Sequence, residues 1–346
     1  MRAIPSGLRL VHLAQIMNWR YKAAAQGLLS RLPGGHHLNY LLGRYVTGHV
    51  LASETTFQHD LAAARSYVDT FQRYGAFPIA DALFYEFGAG WDLIVALSLY
   101  ALGVNRQRLI DVRRLLRPDL VKATANRLSA ITKARSDLRL LPEFSETSSW
   151  RARSRELAQQ CGIEYNAPRD AGATGWADDS ISYITTTKVL SFIPEVSLFA
   201  ILRECHRILH PRGLAAFMID YRDNYSYSDP TIGPYNFLQF SDESWARVNP
   251  PLHYQNRLRH SDYRRLFEKA GFEIVEEHYA RPKPELVRTL ESIRVDPRFA
   301  GYERTDLAAV RGHFVLRKAR AAGKATLPRV RRDIGQSAMF EELERR

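Results

Sequence analysis

Glu86, Gly88 and Gly90 lie together in the run Glu86-Phe87-Gly88-Ala89-Gly90, and Asp111 follows further along the chain. These types at this spacing suit a ligand that carries a ribose. Glycine lets the backbone turn sharply and lets a ligand approach without a Cβ in the way. An acid about 20 residues further on can take both ribose hydroxyls. The elements that must position these residues are legible around them. Leu83-Phe84-Tyr85 reads as a buried strand ahead of the glycines, Trp91–Leu102 as an apolar helix behind them, and Gln107–Ile110 as a second strand that stops at Asp111. Strand, glycine loop, helix, strand, acid is the front of a nucleotide-binding α/β half.

The missing residues narrow the nucleotide. A dinucleotide fingerprint continues with a third glycine and sets a pyrophosphate on the helix N-terminus. Here Trp91 and Asp92 follow Gly90, and Asp92 would repel a pyrophosphate. There is no Gly-Lys-Ser/Thr loop. An adenosine-bearing cofactor with a cationic centre and no phosphates fits better. The chain here resembles the class I S-adenosylmethionine-dependent methyltransferases, whose first motif of an acid, a spacer and Gly-x-Gly is matched by Glu86, Gly88 and Gly90, with Asp111 as the ribose acid. Asp92 stands where many members have a third glycine.

The resemblance implies an α/β fold with a doubly wound, mostly parallel, seven-stranded Rossmann-like sheet. It implies S-adenosyl-L-methionine as cofactor and S-adenosyl-L-homocysteine as product. It also implies an acid after the third strand for the adenine amino group, a place matched by Asp170-Ala171 with Asp178 as the alternative, and a cofactor contact from Thr186 at the end of the fourth strand. The family's Phe-Asp and Glu-His pairs around that strand are replaced by Ile181-Ser182 and Ser191-Phe192, so no catalytic base is implied there. His206–Gly213 resembles the family's Arg-x-Leu-x-Pro-Gly-Gly turn, with Arg212 in place of one glycine. The pattern covers about residues 82–280.

Around this unit, residues 1–80 read as a helical cap: Leu8–Leu32, Leu38–Leu51 and Glu54–Tyr74, with Pro33-Gly34-Gly35 as a break and Ser53 as an N-cap. After Asp111 the connection is long, with helices expected at Arg113–Thr132, Ser136–Leu141 and Ser148–Gln160; the surplus reads as an inserted cap or a partner surface. Strands follow at Ile163-Glu164-Tyr165, Ser180–Thr186, Leu214–Ile219 and Phe272–Val275, with helices from Pro194 to Leu209 and over Ser261–Ala270, the latter closed by Gly271. His313–Leu316 reads as a further strand. The expected organisation is the cap at 1–80, a cofactor-binding domain at 81–316 with an acceptor insertion at 220–260, and a basic tail at 317–346.

In open α/β sheets ligands lie beyond the carboxyl ends of the strands, which makes 220–259 the natural acceptor segment. It is long and aromatic, and long loops in compact domains are usually functional. Tyr221, Tyr225, Tyr227, Tyr235 and Trp245 are candidates to line a pocket or face the sulfonium, against the competing reading of a small local core. His253 is the one imidazole on this segment and the first candidate for a base, with Asp223 and Asp220 as alternatives. Arg222, Arg257 and Arg259 are candidates to hold a carboxylate, phosphate or sulfate.

Composition sets the outer bounds. The 346 residues are 45% hydrophobic and 25% charged, as in a globular protein. No run reaches the 18 or more apolar residues of a membrane span, and the N-terminus lacks a clean signal core. Two cysteines, Cys161 and Cys205, make neither a disulfide framework nor a zinc site and favour a reducing, cytoplasmic setting. His36, His37, His49 and His59 lack metal-pair spacing, so no metal is expected. A net charge of +12 invites a nucleic-acid partner, but Asn249-Pro250-Pro251 runs into Leu252 and so departs from a base-methylation motif. The sequence thus favours a biosynthetic methyltransferase acting on a small-molecule or sugar acceptor. A nucleic-acid methyltransferase and a non-catalytic partner-binding protein are the alternatives, and a homo-oligomer is compatible with each.

Overall fold

A computed structural model describes residues 18–35, 37–40, 53–279 and 283–319. The apolar run ahead of the glycines is a strand, Leu83–Phe87 (β1), buried at every position. It hydrogen-bonds in parallel to Arg106–Ile110 (β2) on one side and Ile181–Thr187 (β4) on the other. Ile163–Asn166 (β3) extends the sheet beyond β2, and Leu209–Asp220 (β5) beyond β4. Arg311–Lys318 (β7) inserts antiparallel between β5 and Phe272–Tyr279 (β6). The order β3-β2-β1-β4-β5-β7-β6 gives the seven-stranded, mostly parallel, Rossmann-like sheet that the resemblance implies.

Both faces are covered, which is why the central strands read as apolar runs with little alternation. On one face Phe84, Leu109, Tyr183, Ala216 and Val315 pack against Glu54–Tyr74 (α2), Ile94–Ala101 (α3), Pro118–Thr132 (α4) and Trp150–Cys161 (α5). On the other, Tyr85, Ile110, Ile184, Phe217 and Phe314 pack against Glu195–Ile208 (α6) and His260–Lys269 (α8). Helix α2 therefore belongs to a layer of the sheet, capped as expected by Ser53 Oγ on the amide of Thr56 at 3.1 Å. A third, smaller core joins Trp19–Leu29 (α1) to the segment after β5, which includes Asp242–Ala246 (α7), and to the region of Pro284–Glu291 (α9) and Arg304–Ala308 (α10).

Some expectations are corrected. No helix forms over Ser136–Leu141; Arg135 and Asp137 pair across a turn, and Leu141 and Phe144 reach the core from non-helical backbone. The segment expected as a turn before the fifth strand is already strand: Leu209 pairs with Ile181, and a register irregularity between Ile181 and Tyr183 absorbs the extra residues. Helix α3 starts at Ile94 because Leu93 is left-handed at φ 54°. The expected helix Leu8–Leu32 is seen as α1; its earlier residues, most of Leu38–Leu51 and the basic tail from 320 onward lie outside the described residues.

Candidate functional site

The alternation of each strand decides which side chains meet at the carboxyl ends. Glu86, Asp111 and Asp220 all follow residues turned toward the α6/α8 layer and so share the opposite face with α2. The loop after β1 is shaped for close approach. Gly88 has φ +76°, and a Cβ there would meet Val189 Cγ2 at 2.5 Å. Gly90 has φ +81°, but its Cβ would point into open space. The first glycine lets β1 pass under the end of β4, and the second leaves room above the loop.

Asp111 is fixed beneath that loop. Its Oδ2 accepts the Tyr165 hydroxyl at 2.9 Å, and its Oδ1 faces the Gly90 amide at 3.4 Å. The same hydroxyl accepts the amides of Leu115 and Leu116 at 3.0 and 3.1 Å. Burial raises the Asp111 carboxyl to about 7, against the pull of Tyr165 and of the Gly90 and Ala89 amides. Glu86 makes no hydrogen bond to any described residue, and burial followed by the charges of Asp111, Asp60 and Asp92 pushes its carboxyl well up. Asp92 caps the start of α3, accepting the Ile94 amide at 3.3 Å, and is also raised by burial. Just past β4, Lys188 sits at φ 62° and donates to Asp60 at 2.7 Å.

Glu86, Asp92 and Asp111 thus gather three carboxyl groups around the glycine loop, each pushed by burial toward its protonated form. Asp170 lies two residues beyond the cis Ala167-Pro168 bond. The amide of its neighbour Arg169 donates to the Asp111 carbonyl at 2.9 Å, which brings Asp170-Ala171 close beside Asp111. Thr186 is fully buried on the other face, its hydroxyl donating to the Phe87 carbonyl at 2.9 Å.

The acceptor segment sorts its candidates by what holds them. Tyr221 is buried with its hydroxyl 2.8 Å from His260 Nδ1. Tyr225, Tyr235 and Trp245 are buried in the third core. Asp223 has no exposed surface; Asn236 donates to it at 2.9 Å and the Tyr225 amide at 2.8 Å. The guanidinium of Arg257 is spent on the carbonyls of Phe237 and Phe240 and on Asp242, and that of Arg259 on the carbonyls of Tyr221, Leu307 and Ala309. His253 lies against the Tyr225 ring, 3.1 Å from Asn224 Nδ2, and burial and then Lys22 lower it to about 3, so it is neutral near pH 7. Tyr227 is 53% exposed and donates to Asp220 at the end of β5. Arg222 lies over its ring at 5.9 Å.

Gln255 and Asn256 join the segment after β5 to the turn after β4. Gln255 donates to the Arg222 carbonyl at 2.5 Å and accepts the Asn224 amide at 3.0 Å. Asn256 donates to the carbonyls of Leu190 and Ile193, both at 2.9 Å. The sequence reading missed Tyr165, Asp60, Lys188 and the stack of Tyr40 on Trp91 at 4.3 Å with Arg117 over Tyr40 at 4.0 Å. Tyr165 alone had a signal: a hydroxyl in the strand beside the one that ends at Asp111. The others come from distant segments.

No protein-family model matches the chain, and no curated protein does. Solved structures do. The CurJ carbon methyltransferase aligns over 92% of this chain and 72% of its own at 12% identity, TM-score 0.44. The mitomycin 7-O-methyltransferase MmcR aligns over 92% and 74% at 13% identity, TM-score 0.42. The cyclase SpnF aligns over 74% and 82% at 15% identity, TM-score 0.41. Identities and scores at this level leave function to be read from this chain's own side chains.

Proposed function

We propose that the protein is an S-adenosylmethionine-dependent methyltransferase of a small-molecule or sugar acceptor. The observation that carries the reading is Asp111, held at the tip of β2 by Tyr165 and facing the Gly90 amide, beside open space above a two-glycine loop. The donor set fits the cofactor. Asp111 takes the ribose hydroxyls, Gly88 and Gly90 let the chain approach, Asp170-Ala171 meets the adenine edge, and the Glu86 and Asp92 carboxyls face the cationic end. Glu86 supports this most directly, being a deeply set carboxyl without a hydrogen bond to any described residue; such a group is costly unless a partner arrives.

When bound, the cofactor supplies an activated methyl carbon. The chain's own task is then alignment and, for a hydroxyl acceptor, removal of a proton. Of the three sequence candidates for that base, Asp220 has the best place, at the end of β5 on the face shared with Glu86. Asp223 has no exposed surface, and His253, lowered to about 3, is a weak proton acceptor.

Calorimetric titration of S-adenosylhomocysteine and S-adenosylmethionine into the wild type and Asp111→Ala tests the reading. Micromolar binding by the wild type, weakened at least a hundredfold in the variant, is expected. A folded wild type that binds neither ligand would sink the methyltransferase reading and move attention to a partner-binding role.

A further inference from the structure

The charges along the carboxyl edge of the sheet change sign from one side to the other. Asp111 and Glu86 stand at the ends of β2 and β1, the neutral Lys188–Asp60 pair lies past β4, and Asp220 ends β5. Beyond it come two arginines. Arg222 follows Asp220 by two residues, and Arg311 is its register partner on β7. Neither guanidinium makes a hydrogen bond or ion pair with any described residue, and the Nε of Arg222 is buried without a partner. Both bear electrostatically on the phenol of Tyr227, the exposed aromatic that donates to Asp220.

The rest of the segment sharpens the contrast. Arg257 and Arg259 spend their guanidinium groups on carbonyls inside the fold. Arg222 is pinned by its backbone alone, its amide donating to Asp220 at 3.0 Å and its carbonyl accepting from Gln255. A fixed backbone with an unspent planar cation is how a carboxylate or phosphate is met, because the guanidinium fork matches two oxygens at once. Asp220, the acid of this cluster, already accepts the Tyr227 hydroxyl and the Arg222 amide.

We propose that Arg222, just past Asp220, and Arg311, the register partner of Asp220 on β7, both near the Tyr227 ring, form an anion subsite that holds the acidic group of a small acceptor. This rests on the methyltransferase reading and narrows its acceptor to a carboxylate or phosphate. The sheet supplies a ruler. Neighbouring strands lie about 4.8 Å apart, so a reacting atom near the end of β4 is roughly 5–10 Å from an anion bound beyond β5 and β7. That reach suits a hydroxylated aromatic acid or a sugar acid.

The test titrates inorganic phosphate, 4-hydroxybenzoate and its neutral analogue 4-hydroxybenzyl alcohol into the full chain, with and without S-adenosylhomocysteine, at fixed salt. Either anion is expected to bind at least tenfold more tightly than the alcohol. Arg222→Gln/Arg311→Gln should erase that preference and leave S-adenosylhomocysteine affinity unchanged, while Arg317→Gln, at an arginine paired with Glu273, should alter neither. Arg222→Lys, which keeps the charge and loses the fork, should retain part of the preference and covers the case of a double variant that does not fold. Preference for phosphate over carboxylate, or the reverse, supports the subsite and names its group. Absence of any anion preference, or a preference that survives in the double variant, overturns it. Failure of S-adenosylhomocysteine to bind while the anions still do would instead overturn the cofactor reading alone.

Discussion

The Tyr165 hydroxyl serves three neighbours, donating to Asp111 and accepting two amides of the loop that follows it. Removing it therefore acts on the acid as well as on the fold. Asp111 is raised to about 7, whereas an unfolded aspartate ionises near about 3.9. Between those values the folded protein keeps a proton that the unfolded chain has released. The stability this group contributes is thus complete below about pH 4 and is lost as the pH rises toward about 7. In the proposed complex ribose hydroxyls donate to the ionised carboxylate, so S-adenosylhomocysteine affinity should climb as the pH passes through about 7 and then level, with proton release on binding below that point. Tyr165→Phe withdraws a donor that favours the ionised form, so the midpoint should move upward and the affinity at pH 7 should fall about tenfold, near 1.4 kcal/mol. Calorimetry over a pH series in buffers of different ionisation enthalpy reads both. An unmoved midpoint would mean that Asp111 is not the titrating contact.

At the level of elements, the two glycines of one loop answer to different constraints. Gly88→Ala meets Val189 at 2.5 Å and must also hold a left-handed backbone, so a loss of about 2–4 kcal/mol of stability is expected along with ligand binding. Gly90→Ala meets open space and bears the backbone cost alone, about 1–2 kcal/mol. It should nonetheless lose S-adenosylhomocysteine affinity as severely as Gly88→Ala, because its methyl enters the ligand's space. Denaturant melts beside titrations separate the two, and a Gly90→Ala that binds normally would remove the ligand from that side of the loop. The same loop shows why the geometry of this part of the candidate site was legible in advance. Its signals are local: an apolar run, two glycines and an acid at a fixed spacing. The failures are long-range. A helix was expected over Ser136–Leu141, but Leu138 and Leu141 are buried from non-helical backbone, which the local sequence does not reveal. In the acceptor segment, aromatic richness was visible, but not which arginine is spent: Arg259 finds its acceptors at Tyr221 and Ala309, 38 and 50 residues away.

At the scale of the molecule, two cores clamp the sheet and a third stands apart, made of α1, the segment after β5 and the region before β7. Trp19 is its hinge. The indole is 3% exposed and lies 5.5 Å from the Tyr225 ring and 5.7 Å from that of Phe240, and the Trp19 amide donates to Asp229 at 2.9 Å. This core carries the segment after β5, where the acceptor is proposed to lie, whereas the glycine loop is built on the sheet, so the two parts of the candidate site should separate energetically. Trp19→Ala removes a ring worth about 3–5 kcal/mol of local stability. Amides over 224–246 should then exchange at least a hundredfold faster, while those of β1, β4 and β5 keep their protection, since local opening draws only on local contacts. S-adenosylhomocysteine affinity should hold while the anion preference near Arg222 declines, because the wall that carries Arg222 has loosened. Hydrogen exchange read peptide by peptide decides the matter. Uniform loss of protection across the sheet would show instead that α1 is part of a single cooperative unit, and that acceptor recognition cannot be tuned apart from the fold that binds the cofactor.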